Sequence, residues 1–224
     1  MANGKTQLTL RTRLLFWRAR LSTPAMLACR DEKQVLARVS PISSAVVILT
    51  ISLFAWLTNL PLVFPALGPS TFILFTAPLS KAGAPRSVVL GHLSCLAGGT
   101  LVYHSVSFLT GQPISLDHVN APLVLSAALA LALAVWTLVK LNCPHPPACA
   151  SSLVVALGGL NDPLDLLLTA AVIVWLAAEA VFVNRLAGLP VPLWKPPEHP
   201  ETDPILKQCQ PHDKSKVTAD DPVL

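Results

Sequence analysis

Apolar residues in this chain gather into long runs separated by short polar breaks, and the runs match the thickness of a lipid bilayer. A helix that crosses the hydrocarbon core needs about 20 mostly apolar residues. Four runs meet that requirement, at residues 41–60, 87–109, 121–141 and 164–183. Two further apolar stretches, 61–78 and 143–160, are interrupted near their starts. Pro61, Pro65, Gly68 and Pro69 break the first, and Pro144, Pro146 and Pro147 break the second. A short clean run follows each break, at 70–76 and 148–157. Proline suits the first turn of a helix but not its interior, where it removes a hydrogen bond and clashes with the preceding turn. Each interrupted stretch therefore predicts an extended lead-in followed by a half-helix. The expected fold is an all-α membrane protein with six membrane segments, four full helices plus two broken half-helix segments.

The distribution of charge decides how many of these segments cross. Of 224 residues, 53% are hydrophobic and only 12% charged, about half the charged share of an ordinary soluble domain. Cytoplasmic loops of membrane proteins carry an excess of Lys and Arg. With six crossings and an inside N-terminus, the inside segments are 1–40, 79–86, 140–146 and 184–224, and these hold all sixteen Lys and Arg residues. The outside connections, around 61–67, 111–120 and 158–163, hold none, only Asp117 and Asp162. With four spans, Lys81, Arg86 and Lys140 would move outside, so six crossings are preferred. Helix, broken segment, helix then occurs twice, and an odd number of crossings per half predicts a 3+3 inverted repeat.

Three regions follow. Residues 1–40 read as a basic cytoplasmic tail whose Leu14, Leu15, Phe16 and Trp17, with neighbouring arginines, suit anionic headgroups. Residues 41–186 form the transmembrane domain, and 187–224 read as a disordered cytoplasmic tail rich in Pro, Lys and Asp. The net charge of +4 comes from polar ends, and no aromatics are interleaved with it to stack on bases, so nucleic acid is not expected as a partner. The apolar run begins too late for a secretory signal peptide, and Asp31 and Glu32 count against an organelle transit peptide. The bacterial inner (cell) membrane is the expected location, the plastid envelope the alternative. Small transporters often associate, which leaves a homo-oligomer open.

The two breaks carry the candidate chemistry. If the first half-helix starts from outside and the second from inside, their N-termini meet near the midplane. Free N–H groups and aligned peptide dipoles give each end roughly half a positive elementary charge, and two such ends converging in a low dielectric suit a small anion. Gly68, Pro69, Ser70 and Thr71 line the first end; His145, Pro146, Pro147, Ala148 and Cys149 line the second. The plainer reading is that the prolines only kink helices while Ser and Thr satisfy freed carbonyls; two breaks at matching positions favour a site.

Titratable residues inside spans are costly and mark function. Glu179 lies six residues, hence ~9 Å, from Arg185, and His92 lies equally far from Arg86. The two could meet at one depth and carry a proton, or form a structural hydrogen-bonded pair. Arg86 is a candidate for attracting anions to the inner mouth, or it snorkels. His104 beside Tyr103 fits the outer interface. The five cysteines, Cys29, Cys95, Cys143, Cys149 and Cys209, are odd in number and scattered. Cys143 and Cys149 flank His145 with a spacing unlike zinc patterns, so packing is expected in place of a metal, and no cofactor is implied. With Glu179 as the one acid well inside a span, a hydrolase constellation is missing, and an enzyme is not expected. A non-transporting scaffold or sensor remains the other class.

These strings also carry a resemblance. Cys143-Pro144-His145-Pro146-Pro147-Ala148 with Ser151-Ser152-Leu153, and earlier Gly68-Pro69-Ser70, Ala77-Pro78, Pro85-Arg86 and Gly91-His92, resemble the signature of the HPP family of integral membrane proteins over roughly residues 40–190. Members are usually described with four spanning helices, and plant plastid and cyanobacterial members are associated with nitrite transport. The resemblance implies a small-anion transporter or channel, with nitrite, or else nitrate, as substrate. Cys149 stands where members usually have glycine, a departure that bears on selectivity.

Overall fold

The computed structural model describes residues 32–196, and among these the regular structure is six helices. They are α1 (Glu32–Thr58), α2 (Leu67–Thr76), α3 (Pro85–Thr110), α4 (Ala121–Lys140), α5 (Pro147–Ala156) and α6 (Pro163–Leu186). Four of them, α1, α3, α4 and α6, are long and apolar enough to cross a membrane. The other two, α2 and α5, are apolar helices of 10 residues each, and they start beside the predicted breaks. The expectations for residues 1–31 and 197–224, including the headgroup-binding tail, Cys29 and Cys209, lie outside the described residues.

Local sequence explains the boundaries. Prolines stand at the first positions of α3, α4, α5 and α6, where a missing N–H costs nothing. Asn120 and Asp162 cap α4 and α6 by accepting from Leu123 N–H (2.9 Å) and Leu164 N–H (2.8 Å). Asn59 and Asn142, just beyond α1 and α4, take left-handed backbone angles (φ 54° and 53°), a conformation asparagine tolerates better than most residues and one that stops a helix.

Both ends of the domain differ from expectation. Helix α1 begins at Glu32 and runs through Pro41, because residues 32–40 are mostly good helix formers and Pro41 removes just one backbone bond. Ser40, one residue earlier, turns its hydroxyl to the Phe75 carbonyl at 2.7 Å, fastening α1 to the end of α2. At the other end, 187–196 is not a disordered segment. Leu189 and Val191 are buried with Val181, Arg185 Nε donates to the Val191 carbonyl (2.9 Å), and Arg86 N–H donates to the Trp194 carbonyl (3.1 Å). Apolar side chains and two carbonyls satisfied by the domain outweigh the Pro-rich composition.

A short helix inside an apolar bundle must have its last carbonyls satisfied, since an unpaired polar group there costs several kcal/mol by order of magnitude. Asn184 of α6 donates to Leu74 O at 3.0 Å and Ser40 of α1 to Phe75 O, closing α2. Ser126 of α4 donates to Ala156 O at 2.7 Å and closes α5. The main apolar core runs through Val47, Ile51, Leu67, Leu74, Val88, Ile173 and Leu176, joining α1, α2, α3 and α6. Large apolar side chains such as Trp56 (76% exposed) and Phe108 (87% exposed) face outward, a surface suited to lipid.

Lys81, Arg86, Lys140 and Arg185 gather at one end. Lys81 Nζ donates to Asn142 Oδ1, two residues from Lys140. Arg86 Nη2 donates to Leu141 O (3.3 Å), and Arg86 and Arg185 both hold the 191–194 segment. At the opposite end Gly158 lies against the Ile114 carbonyl, so close that a Cβ there would stand 2.6 Å from it. Asp117 and Asp162 belong to the loops at that end.

Candidate functional site

Four of the buried polar side chains form one chain of contacts where α2, α3 and α5 meet. Ser70 on α2 places its Oγ 3.0 Å from His92 Nε2 on α3 and 3.1 Å from His145 Nε2, just before α5. Nδ1 of His92 lies 2.8 Å from Ser151 Oγ on α5. Nδ1 of His145 donates to the Ala82 carbonyl at 2.8 Å. The two imidazole rings are 5.1 Å apart between centroids. Ser70, His92, His145 and Ser151 are each 0% exposed. Polar side chains so buried in an apolar bundle must be satisfied by one another.

Sequence brings each residue there for a definable reason. Helix α2 starts at Leu67, with Pro69 as its third residue, and Ser70 follows at the end of the first turn, its N–H bonded to the Ala66 carbonyl. Pro146 and Pro147 end the extended lead-in directly after His145, and the ring leaves the chain where the backbone is not yet helical. Gly91 permits the approach of α3: a Cβ on it would stand 3.2–3.5 Å from Leu138, Ala148 and His145. His92 follows as the next residue, turned into the space so created.

The predicted site residues divide. Ser70 near the start of α2 and His145 just before α5 lie in contact. Gly68 and Pro69 are exposed. Gly68 lines, with Thr71, Ser40 and Ser44, a groove of about 410 Å³ between α1 and α2. Thr71 commits its hydroxyl to the Gly68 carbonyl at 2.7 Å. Pro146 is exposed, Pro147 and Ala148 are buried, and Cys149 is half-buried. A crown of free N–H groups at the second end is not present. Pro146 and Pro147 have none, and those of Ala148 and Cys149 are taken by the His145 and Pro146 carbonyls, each at 3.0 Å. The polar atoms at the meeting point are side-chain hydroxyls and imidazoles, which the proline-rich sequence left as the remaining donors.

His92 and Glu179 do not pair. Both ring nitrogens of His92 face hydroxyls, while Glu179 accepts from Thr50 of α1 at 2.7 and 2.9 Å. Equal distance from the basic end did not bring them to the same side of the bundle. His92 was expected in a pair with a carboxylate; its contacts to Ser70 and Ser151 were legible only in that the family strings contain all three residues. Arg86 is engaged with Leu141 O and, at 3.4 Å, Cys143 Sγ, tying the 141–143 turn to α3. Among the described residues no group of three His, Cys, Asp or Glu side chains could hold a metal. The depth also differs from a midplane site. His92 is the eighth of 26 residues in α3, about 10 Å from that helix's basic end.

The model of the family described as HPP, transmembrane region, matches residues 32–192. The chain belongs to this family. It is therefore an integral membrane protein, and the match begins with α1 and ends within the docked 187–196 segment. Neither the curated proteins nor the solved structures contain a match to this chain.

Proposed function

We propose that this HPP-family chain is a transporter or channel for a small inorganic anion, with nitrite as first candidate, nitrate as second, and no covalent step. One observation carries the reading: the sealed Ser70–His92–His145–Ser151 network where two short helices begin inside an apolar bundle. Interrupted segments and buried ionisable side chains are where membrane transporters bind their substrates. Hydroxyl hydrogens and imidazole N–H groups are donors suited to a nitrite oxygen, and the dipoles of α2 and α5 add positive potential. The four side chains of the network are fully buried.

The reading includes an inverted 3+3 repeat, which helix packing and turn geometry support. Helix α1 packs on α2 as α4 packs on α5, and α3 packs on α4 and α5 as α6 packs on α1 and α2. The first helix of each half ends in a left-handed asparagine followed by an identical spacing to proline, Asn59-Leu60-Pro61 and Asn142-Cys143-Pro144. The third helix of each half ends at a left-handed glycine, Gly111 and Gly188. On this reading α2 and α5 both traverse with their lead-ins, the basic end is cytoplasmic, and the membrane is a bacterial inner membrane. Single cysteines placed at Lys81 and Lys140 are expected to react with a membrane-impermeant maleimide from one side, and those at Asp117 and Asp162 from the other. Labelling of Lys81 and Lys140 positions from opposite sides excludes the topology.

The function itself is tested by uptake into proteoliposomes of nitrite, nitrate, formate and chloride. Nitrite uptake above that of protein-free vesicles is expected, with chloride slowest. Equal flux with and without protein for all four anions refutes a transporter and favours a scaffold.

A further inference from the structure

Hydrogen bookkeeping around Ser70 leads beyond anion binding. The Ala82 carbonyl can only accept, so Nδ1 of His145 carries a hydrogen, and Nε2 of the neutral ring is bare. Ser70 has one hydroxyl hydrogen and two acceptors for it: His145 Nε2 at 3.1 Å and the Ala66 carbonyl at 2.8 Å. In the neutral network the hydroxyl donates to His145. With His92 in the tautomer that gives every ring nitrogen a partner, the hydroxyl accepts from His92 Nε2–H and Ser151 donates to His92 Nδ1. When a proton occupies His145 Nε2, the hydroxyl turns to the Ala66 carbonyl and accepts from both rings. Every polar atom is satisfied in both states, and the heavy atoms stay in place.

The geometry points to a single-proton site formed by Ser70, His92 and His145, whose proton is carried together with the transported anion. Capacity is limited to one because a second imidazolium would lie 5.1 Å from the first, ring to ring, in a buried place. Among the described residues the charge has no counter-ion. Among the described residues the partners of the two rings are the hydroxyls of Ser70 and Ser151 and the Ala82 carbonyl. On the elements around them, Arg86 of α3 is held by Leu141 and Cys143. Lys81 is bound to Asn142, and Glu179 of α6 to Thr50. Cys95 of α3 and Cys149 of α5 are free thiols. A buried cation without a carboxylate is stabilised by an anion. One proton and one monovalent anion then enter as a neutral pair, and the proton leaves His145 when the anion leaves. This inference rests on the anion-transport reading.

Full-length protein in vesicles containing a pH dye tests it, with nitrite and nitrate as probes and potassium with valinomycin setting the membrane potential. Protein-free vesicles correct for passage of nitrous acid. The expected result is one proton delivered to the lumen per anion, at a rate indifferent to the sign of the potential. His145→Gln, which keeps a group able to meet Ser70 but holds no proton, is expected to leave slower uptake that follows an inside-positive potential without acidification. Ser70→Ala, a milder change on another helix, is expected to uncouple in the same way. Potential-driven uptake without acidification by the unaltered protein overturns the proton site and leaves anion transport standing. So does coupled uptake retained in both His145→Gln and His92→Gln, or coupling lost in Glu179→Gln alone. Absence of protein-dependent uptake of both probes, and of formate and chloride, overturns the transport reading, and the proton site with it.

Discussion

Nitrite uptake by the His145→Ala protein is expected to fall about tenfold or more, with the protein still reaching the membrane. The imidazole holds two partners at once, the Ala82 carbonyl and the Ser70 hydroxyl. Leaving buried polar groups unpaired costs about 1–3 kcal/mol each, and about 1.4 kcal/mol already corresponds to a factor of ten in rate. The main apolar core that joins α1, α2, α3 and α6 keeps all of its own residues in this variant, so the loss is expected at the site. Two conservative variants separate its roles. Asparagine at this position mimics Nδ1 and retains the bond to Ala82, whereas glutamine reaches further and can meet Ser70. His145→Gln is therefore expected to keep more uptake than His145→Asn. The measurement is initial uptake normalised to the amount of protein incorporated. Wild-type uptake in the alanine variant removes His145 from the transport path.

Much of this arrangement is visible in the amino-acid pattern. Apolar length alone locates all four long helices, and α4 begins at its predicted residue, Ala121. Proline position marks where the two short helices lie, but α2 begins at Leu67, ahead of Gly68 and Pro69, three residues before the run that local sterics suggest. What pattern reading misses depends on contacts between distant segments. Pro41 looks like a boundary by local rules, yet α1 passes through it, with Ser40 fastened to Phe75. Residues 187–196 look like a tail because their bonds to Arg86 and Arg185 are invisible in composition. His92 and Glu179 share a computed depth but point to different neighbours; depth along a helix is legible from sequence, and azimuth in the bundle is much less so. The two Asn-x-Pro turns were present in the chain throughout, but their equivalence needs the left-handed backbone of Asn59 and Asn142 to be noticed.

The network also depends on how closely α3 lies against α5, and Gly99 controls that distance. A Cβ on Gly99 would stand 2.6 Å from the Ser152 carbonyl oxygen and 3.1 Å from its Cα, which are backbone atoms unable to move aside alone. Gly99→Ala must therefore separate the helices. Ser151, the partner of His92, and Ser152, bonded to Ala130 O at 3.3 Å, are on the stretch of α5 that would be displaced. Overpacking of this kind typically costs about 1–3 kcal/mol. A clear fall in the thermal midpoint in detergent is expected, together with loss of nitrite uptake. Its neighbour provides the control. A Cβ on Gly98 meets the Leu133 side chain, with Cδ2 at 3.3 Å, and that flexible tip can rotate away. Alanine in place of a helical glycine contributes up to about 1 kcal/mol through backbone entropy, so Gly98→Ala is expected to be neutral or stabilising. Equal midpoints for the two variants would mean that α3 and α5 are not held in the close contact on which the buried histidine pair relies.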